Sequence, residues 1–197
     1  LLVEGKDDVN YIRKAIQLFY DEYSLNVDLL YFGGAQNSVE FINNLKKIGM
    51  PEDKKIIVLF DRDNEGTDGL RKCIKNCKPK HGPQLSTINC EDNNIYMDKN
   101  YYYLIYPKTK ECSKNTEFIV EDYFSKRIKA KFIKQKIKEN PYNIKNYNGL
   151  DKKIKENISK SIDDISLTDM VGFKTLLQKI SNIIDNSTES FVDVNSL

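Results

Sequence analysis

Four carboxylates in the first third of this chain stand where divalent-cation chemistry could be done: Glu4, Asp8, Asp61 and Asp63. The first two lie in Leu2-Val3-Glu4-Gly5-Lys6-Asp7-Asp8, the others in Phe60-Asp61-Arg62-Asp63-Asn64-Glu65-Gly66. Each motif follows an apolar run that reads as a buried strand. Glu4 closes the first such strand and Asp61 the third. Asp63 is two residues further on, so in extended chain both Asp side chains point the same way. Asp8 falls in the first turn of the helix after Glu4 and can return to the same crevice. Carboxylates gathered in one cleft repel each other unless a cation sits among them. An all-oxygen donor set suits Mg²⁺ or Mn²⁺ and not zinc. His81 is the only histidine, so histidine-based nuclease chemistry and Ser-His-Asp hydrolysis lack their usual parts. A metal is the remaining source of an activated water. One Asp after a strand is most often a helix cap. Acid motifs at two strand ends are harder to explain that way.

The elements needed to place these acids can be read from periodicity. Leu1-Leu2-Val3 is a strand, and residues 9–20 carry a helical apolar stripe in Val9, Ile12, Ile16 and Phe19. Residues 27–32 form a second strand closing on Gly33-Gly34. Ser38 opens a second helix that Gly49 ends. Residues 55–60, apolar on both faces, read as a central parallel strand. A third helix spans residues 67–76. This β-α-β-α-β-α order predicts a doubly wound α/β fold, with a mainly parallel sheet flanked by helices. Sites in such sheets form beyond the carboxyl ends of the strands, where the strand order reverses. Residues 78–94 read as loop, 101–106 as a fourth strand and 108–115 as loop. From residue 116 the pattern turns helical and basic, broken at Pro141 and Gly149. Ser166 or Thr168 opens a last amphipathic helix reaching Ile184, and residues 186–197 read as weakly ordered. The expected division is a catalytic core over 1–112 and a helical, basic C-terminal extension over 113–197 that completes the site.

Composition narrows the class. The 197 residues are 40% apolar and 30% charged, ordinary for a soluble globular chain. No apolar run approaches the roughly 20 residues that cross a bilayer, and no signal peptide is visible, so the cytoplasm is the expected location. The chain starts at Leu1, inside a strand, and reads as a fragment or a protein trimmed at its front. Net charge is only +2, but residues 126–138 hold seven Lys or Arg and no acid. That run is either a solvated helix face or a phosphate-contacting surface. Cys73, Cys77 and His81 are spaced four apart and could, with Cys90, suggest zinc. The spacing is unfamiliar and Pro79 interrupts the helix, so spectator thiols are expected.

The two acidic motifs together resemble the Toprim domain, over about residues 1–107. That domain is shared by topoisomerases, bacterial primases, the ribosomal-RNA maturase ribonuclease M5, recombination mediators and OLD-family (overcoming lysogenization defect) nucleases. The resemblance implies that Glu4 acts in acid-base chemistry or as a ligand, and that Asp61 and Asp63 hold Mg²⁺. Topoisomerases and primases need further domains for which this chain has no room. Ribonuclease M5 shares the first motif but shows Asp-Pro-Asp where this chain has Asp61-Arg62-Asp63. The OLD branch fits better. Residues 117–124, Glu-Phe-Ile-Val-Glu-Asp-Tyr-Phe, resemble its later acidic motif, which implies Glu121 as a metal ligand with Asp122 the nearest alternative. Residues 171–177, Val-Gly-Phe-Lys-Thr-Leu-Leu, resemble the segment of its catalytic lysine, which implies Lys174. No Walker A loop occurs here, so any ATPase domain or subunit lies outside this chain.

The expected activity is Mg²⁺- or Mn²⁺-dependent endonuclease cleavage of DNA, with RNA the lesser expectation. Two ions would be held by Glu4, Asp8, Asp61, Asp63 and Glu121, with Lys174 beside the phosphate. A homodimer and a role in phage defence are compatible with the resemblance. The rival expectation is a Toprim scaffold that binds a protein partner and does not cut. If the run over 126–138 holds a nucleic-acid backbone, binding weakens steeply as salt is raised. Equal affinity at low and moderate salt in a filter-binding titration contradicts that assignment.

Overall fold

A computed structural model of the chain describes residues 1–51, 53–77, 94–112, 117–139, 152–185 and 191–194. Six strands form one mixed, mostly parallel sheet: β1 (Leu2–Val3), β2 (Leu30–Tyr31), β3 (Ile56–Phe60), β4 (Ile95–Asp98), β5 (Tyr101–Ile105) and β6 (Phe191–Asp193). Their spatial order is β2-β1-β3-β5-β4-β6. Strand β1 runs parallel to both β2 and β3, and β3 runs parallel to β5. The chain therefore goes from β1 to β2 on one side, then crosses back to lay β3 on the other. Open α/β sheets place their ligand crevice at such a reversal, here between the carboxyl ends of β1 and β3.

Strand β3 is buried at all five positions, as its unbroken Ile-Ile-Val-Leu-Phe run requires of a strand covered on both faces. Ile56, Val58 and Phe60 face one apolar cluster, shared with Ile42 of α3 (Ser38–Ile48) and with Leu70, Cys73 and Ile74 of α4 (Asn64–Asn76). Ile57 and Leu59 face the other, shared with α1 (Lys6–Leu18), α5 (Lys126–Glu139), α6 (Lys152–Lys160) and α7 (Phe173–Ile184). The C-terminal helices thus pack into the same core as β1 and α1. A short α2 (Tyr20–Tyr23) follows α1, after Phe19 leaves helical geometry. No described helix is long and apolar enough to cross a membrane.

Several elements differ from the sequence expectation. Helix α1 begins at Lys6, before the apolar stripe, because the Asp8 carboxylate accepts the Gly5 N–H at 2.8 Å and starts the helix early. Helix α4 likewise begins at Asn64, capped by Asp63. Strand β4 follows a Pro/Gly/Asn-rich stretch that hid it, and it pairs antiparallel with β5 across Lys99, at φ +56°. Residues 191–193, expected to be weakly ordered, form an edge strand parallel to β4. Helix α7 opens at Phe173, not at Ser166 or Thr168. Ser166 instead donates to Asp169 across a single 3₁₀ turn.

The α7 start is fixed by close backbone contact. A Cβ at Gly172 would lie 2.3 Å from the Tyr123 carbonyl oxygen. From there α7 buries Phe173, Leu176, Leu177, Ile180 and Ile183, each contributing about 1.5–3 kcal/mol. Gly172→Ala is therefore expected to cost about 2 kcal/mol or more through forced displacement, read as a lower urea midpoint at unchanged slope. An unchanged midpoint contradicts this contact.

Candidate metal centre

Glu4 follows β1 directly, and its backbone is tied down. Gly33 and Gly34, at φ +80° and +102°, both turn their N–H groups onto the Glu4 carbonyl at 3.0 and 2.9 Å. Side chains rarely adopt that left-handed geometry, which explains the glycine pair. The Glu4 carboxylate reaches across the crevice, and its Oε1 accepts the Asp61 N–H at 2.9 Å. It also accepts a backbone hydrogen bond from Ala35.

Gly66 makes room for this arrangement. Asp63 caps α4 by accepting the Gly66 N–H at 2.7 Å. A Cβ on Gly66 would lie 2.1 Å from the Asp61 carbonyl oxygen and 2.8 Å from Glu4 Oε1. The glycine of the second motif is thus required by close approach of the α4 first turn to both acid-bearing segments.

Glu121 arrives by a separate route. Arg62 and Phe118 form an isolated antiparallel bridge, exchanging N–H···O bonds of 2.8 and 2.9 Å. A 3₁₀ turn, Val120–Tyr123, follows and turns Glu121 inward until only 1% of it is exposed. The Arg62 guanidinium is buried and donates to the Tyr106 carbonyl at 3.3 Å. Beneath lies an aromatic wedge: Phe118 packs on Tyr123 at 4.8 Å between ring centroids, and Tyr123 on Phe173 at 5.1 Å.

Burial pushes the Glu4 carboxyl up to about 7, restrained by the N–H groups of Asp61 and Ala35 and raised further by Asp63. Asp8 is also pushed up to about 7, by burial and then by Glu121. Asp61 is held well above the usual carboxylate range by burial, then by Asp8, Glu4 and Glu121. Glu121 is raised by burial, against the pull of Lys155. These mutual effects place Glu4, Asp8, Asp61 and Glu121 in one electrostatic cluster, with Asp63 at its edge beside Glu4.

The structure does not bring Lys174 to this cluster. Phe173 turns into the core, so the next residue on α7 faces α2. Lys174 Nζ donates to Glu22 Oε1 at 2.6 Å and lies 5.0 Å over the Phe19 ring. The lysine among the acids is Lys155 of α6, whose Nζ is 3.2 Å from Glu121 Oε2. Burial alone would lower its pKa, but Glu121 and Asp61 outweigh burial and raise it. Sequence reasoning missed Lys155 because it is one of many lysines in a basic stretch. Its only signal was its position directly after Ile154, whose side chain is fully buried.

The donor chemistry fits a hard divalent cation: oxygen atoms only, from five acids. Among the described residues, buried Asp61 Oδ1 and the buried Tyr106 hydroxyl have no hydrogen-bond partner, and Glu121 Oε2 has only its 3.2 Å ion-pair contact with Lys155. The Asp61 and Tyr106 groups lie where the cluster's charge is concentrated, since Asp8 and Asp61 act on Tyr106. Among the described residues no three Asp, Glu, Cys or His side chains already form a metal-holding group. Glu4, Asp8 and Asp63 are engaged with backbone N–H groups and Glu121 with Lys155, so enclosing an ion requires side-chain rotation. Cys73 and Cys77 are free thiols. Burial pushes Cys73 up to about 12 and raises Cys77, as for spectator thiols. His81 and Cys90 lie outside the described residues. No family model, curated protein or solved structure matches this chain.

A carboxyl whose folded pKa exceeds its unfolded value binds more protons when folded, so stability falls as pH rises between the two. For Glu4 and Asp8 that window runs from 4.5 and 3.8 to about 7. Without metal, the protein is expected to melt at a higher temperature near about pH 5 than near about pH 8. Glu4→Gln should flatten that slope. A slope that Glu4→Gln leaves unaltered contradicts the raised Glu4 carboxyl.

Proposed function

We propose that this chain is a Mg²⁺-dependent nuclease that hydrolyses phosphodiester bonds of DNA, of the Toprim type and its OLD-like branch. The observation that carries the reading is the convergence of Glu4, Asp8, Asp61 and Glu121 from three stretches of the chain on one crevice, with Asp61 Oδ1 buried and, among the described residues, without a hydrogen-bond partner. Glu4 and Asp8 have local backbone partners, but Asp61 Oδ1 has none among the described residues, and the mutual repulsion of the four acids opposes folding. The strand-end location is where open α/β sheets place their ligands. Glu4, Asp8, Asp61, Asp63 and Glu121 would hold the metal, which supplies acidity to a water and charge for the leaving oxygen.

The chain's own residues set the rest. Glu4 bridges the ends of β1 and β3 and so fixes the spacing of the two motifs. The Glu4 and Asp8 carboxyls, pushed up to about 7 without metal, must be deprotonated to ligate a cation. Helix α5 buries Ile128 and Phe132 and exposes Lys126, Lys131 and Lys134 to solvent, a face able to contact phosphates. Lys174, engaged by Glu22, is given no catalytic part.

A second reading, a non-catalytic binding module, is favoured by one fact. Glu4, Asp8 and Asp63 each serve a local backbone purpose as cross-link or cap. Supercoiled plasmid and structured RNA, incubated with Mg²⁺ or Mn²⁺, separate the two readings. The nuclease reading expects cleavage that Asp61→Ala and Glu4→Ala abolish and that Lys174→Ala leaves intact. Cleavage surviving both acid substitutions refutes the site, and no cleavage with metal bound supports the binding module. Lys174→Ala should also change stability by no more than about 1 kcal/mol, as for a surface ion pair.

A further inference from the structure

The cluster already holds one cation, and it is part of the chain. Lys155 Nζ stands 3.2 Å from Glu121 Oε2, and Glu121 is almost wholly buried. Asp61 and Asp8 also act on Lys155. Its position is imposed from below. Ile154 and Ile158, on either side of it along α6, are fully buried. The Tyr11 hydroxyl of α1 donates to the Lys155 carbonyl at 2.7 Å, and Asn10 donates to Ser159 Oγ at 2.9 Å. Helix α6 is thus fastened to α1, the helix that carries Asp8. The ammonium is delivered to the acids, unlike the exposed Lys152, Lys153 and Lys160 of the same helix.

We propose that Lys155 is a tethered counter-ion, which neutralises Glu121 in the metal-free protein and yields it when a divalent cation binds. The physical ground is that an ionised carboxylate buried without a partner is strongly destabilising, so Glu121 stays ionised only while a cation attends it. An ammonium is a compact, flexibly held point charge, able to withdraw along its four-carbon stem when a stronger cation competes. The pair then keeps the crevice folded before loading and sets a threshold for metal affinity. Lys155 is a positioning residue, and the proposal rests on the metal reading above.

The test is a double-mutant cycle on the full chain, with Lys155→Met, Glu121→Gln and the double variant melted with and without Mn²⁺. Met keeps the apolar stem and Gln keeps the shape, so both variants retain packing. Without metal, the coupling between the two positions is expected to be about 5 °C in Tm. With saturating Mn²⁺ it should shrink toward zero. By calorimetry, Lys155→Met should bind Mn²⁺ roughly tenfold tighter than the unsubstituted chain, because a competing positive charge is gone. Coupling that persists unchanged in Mn²⁺ makes Lys155 a permanent structural partner and overturns the proposal. So does absence of coupling without metal. If the unsubstituted chain shows no Mn²⁺ binding, the metal reading itself fails, whatever the coupling.

Discussion

The structure turns on one electrostatic constraint: four carboxylates from three stretches of the chain share a partly desolvated crevice. Like charges in low dielectric repel, and burial penalises each ionised form further. Such a set persists only if protons, cations or hydrogen-bond donors balance it. All three are present or provided for. Glu4 and Asp8 are pushed up to about 7, Lys155 attends Glu121, and backbone N–H groups address Glu4, Asp8 and Asp63.

The fold holds the acids together against that repulsion. The switch in strand order at β1 puts the ends of β1 and β3 side by side. Gly33 and Gly34 lock the Glu4 backbone, and Gly66 lets α4 approach. The Arg62–Phe118 bridge and the aromatic wedge under it carry Glu121 in from the C-terminal half. Packing of α1, α6 and α7 on one sheet face supplies the favourable free energy, and the acids draw on it.

Much of this was legible in the sequence, for identifiable reasons. The apolar runs before Glu4 and Asp61 fixed both strands, and the strand-helix alternation implied a mostly parallel sheet. Gly66 and the Gly33-Gly34 pair were visible as motif and turn residues, though not the contacts that demand them. Three features escaped. Strand β4 sits after a stretch dominated by turn-formers, and β6 is three residues long, too short for alternation to register. Lys155 was hidden because charge counts do not show which lysine on a basic helix points inward. Lys174 was placed at the site by a resemblance of local sequence. The phase of α7 turns it to Glu22 instead, and helix phase depends on where a helix starts, which the Gly172 contact decides.

A divalent-cation site built from these acids would take up Mn²⁺ in a crystal. Anomalous diffraction from crystals grown with Mn²⁺ tests it most directly. Anomalous density is expected in the crevice, bonded to carboxylate oxygens of Asp61 and at least one of Glu4, Asp8 and Glu121, with the Lys155 ammonium withdrawn. Ordered crystals at saturating Mn²⁺ with no anomalous density in the crevice, and Lys155 still on Glu121, would contradict it.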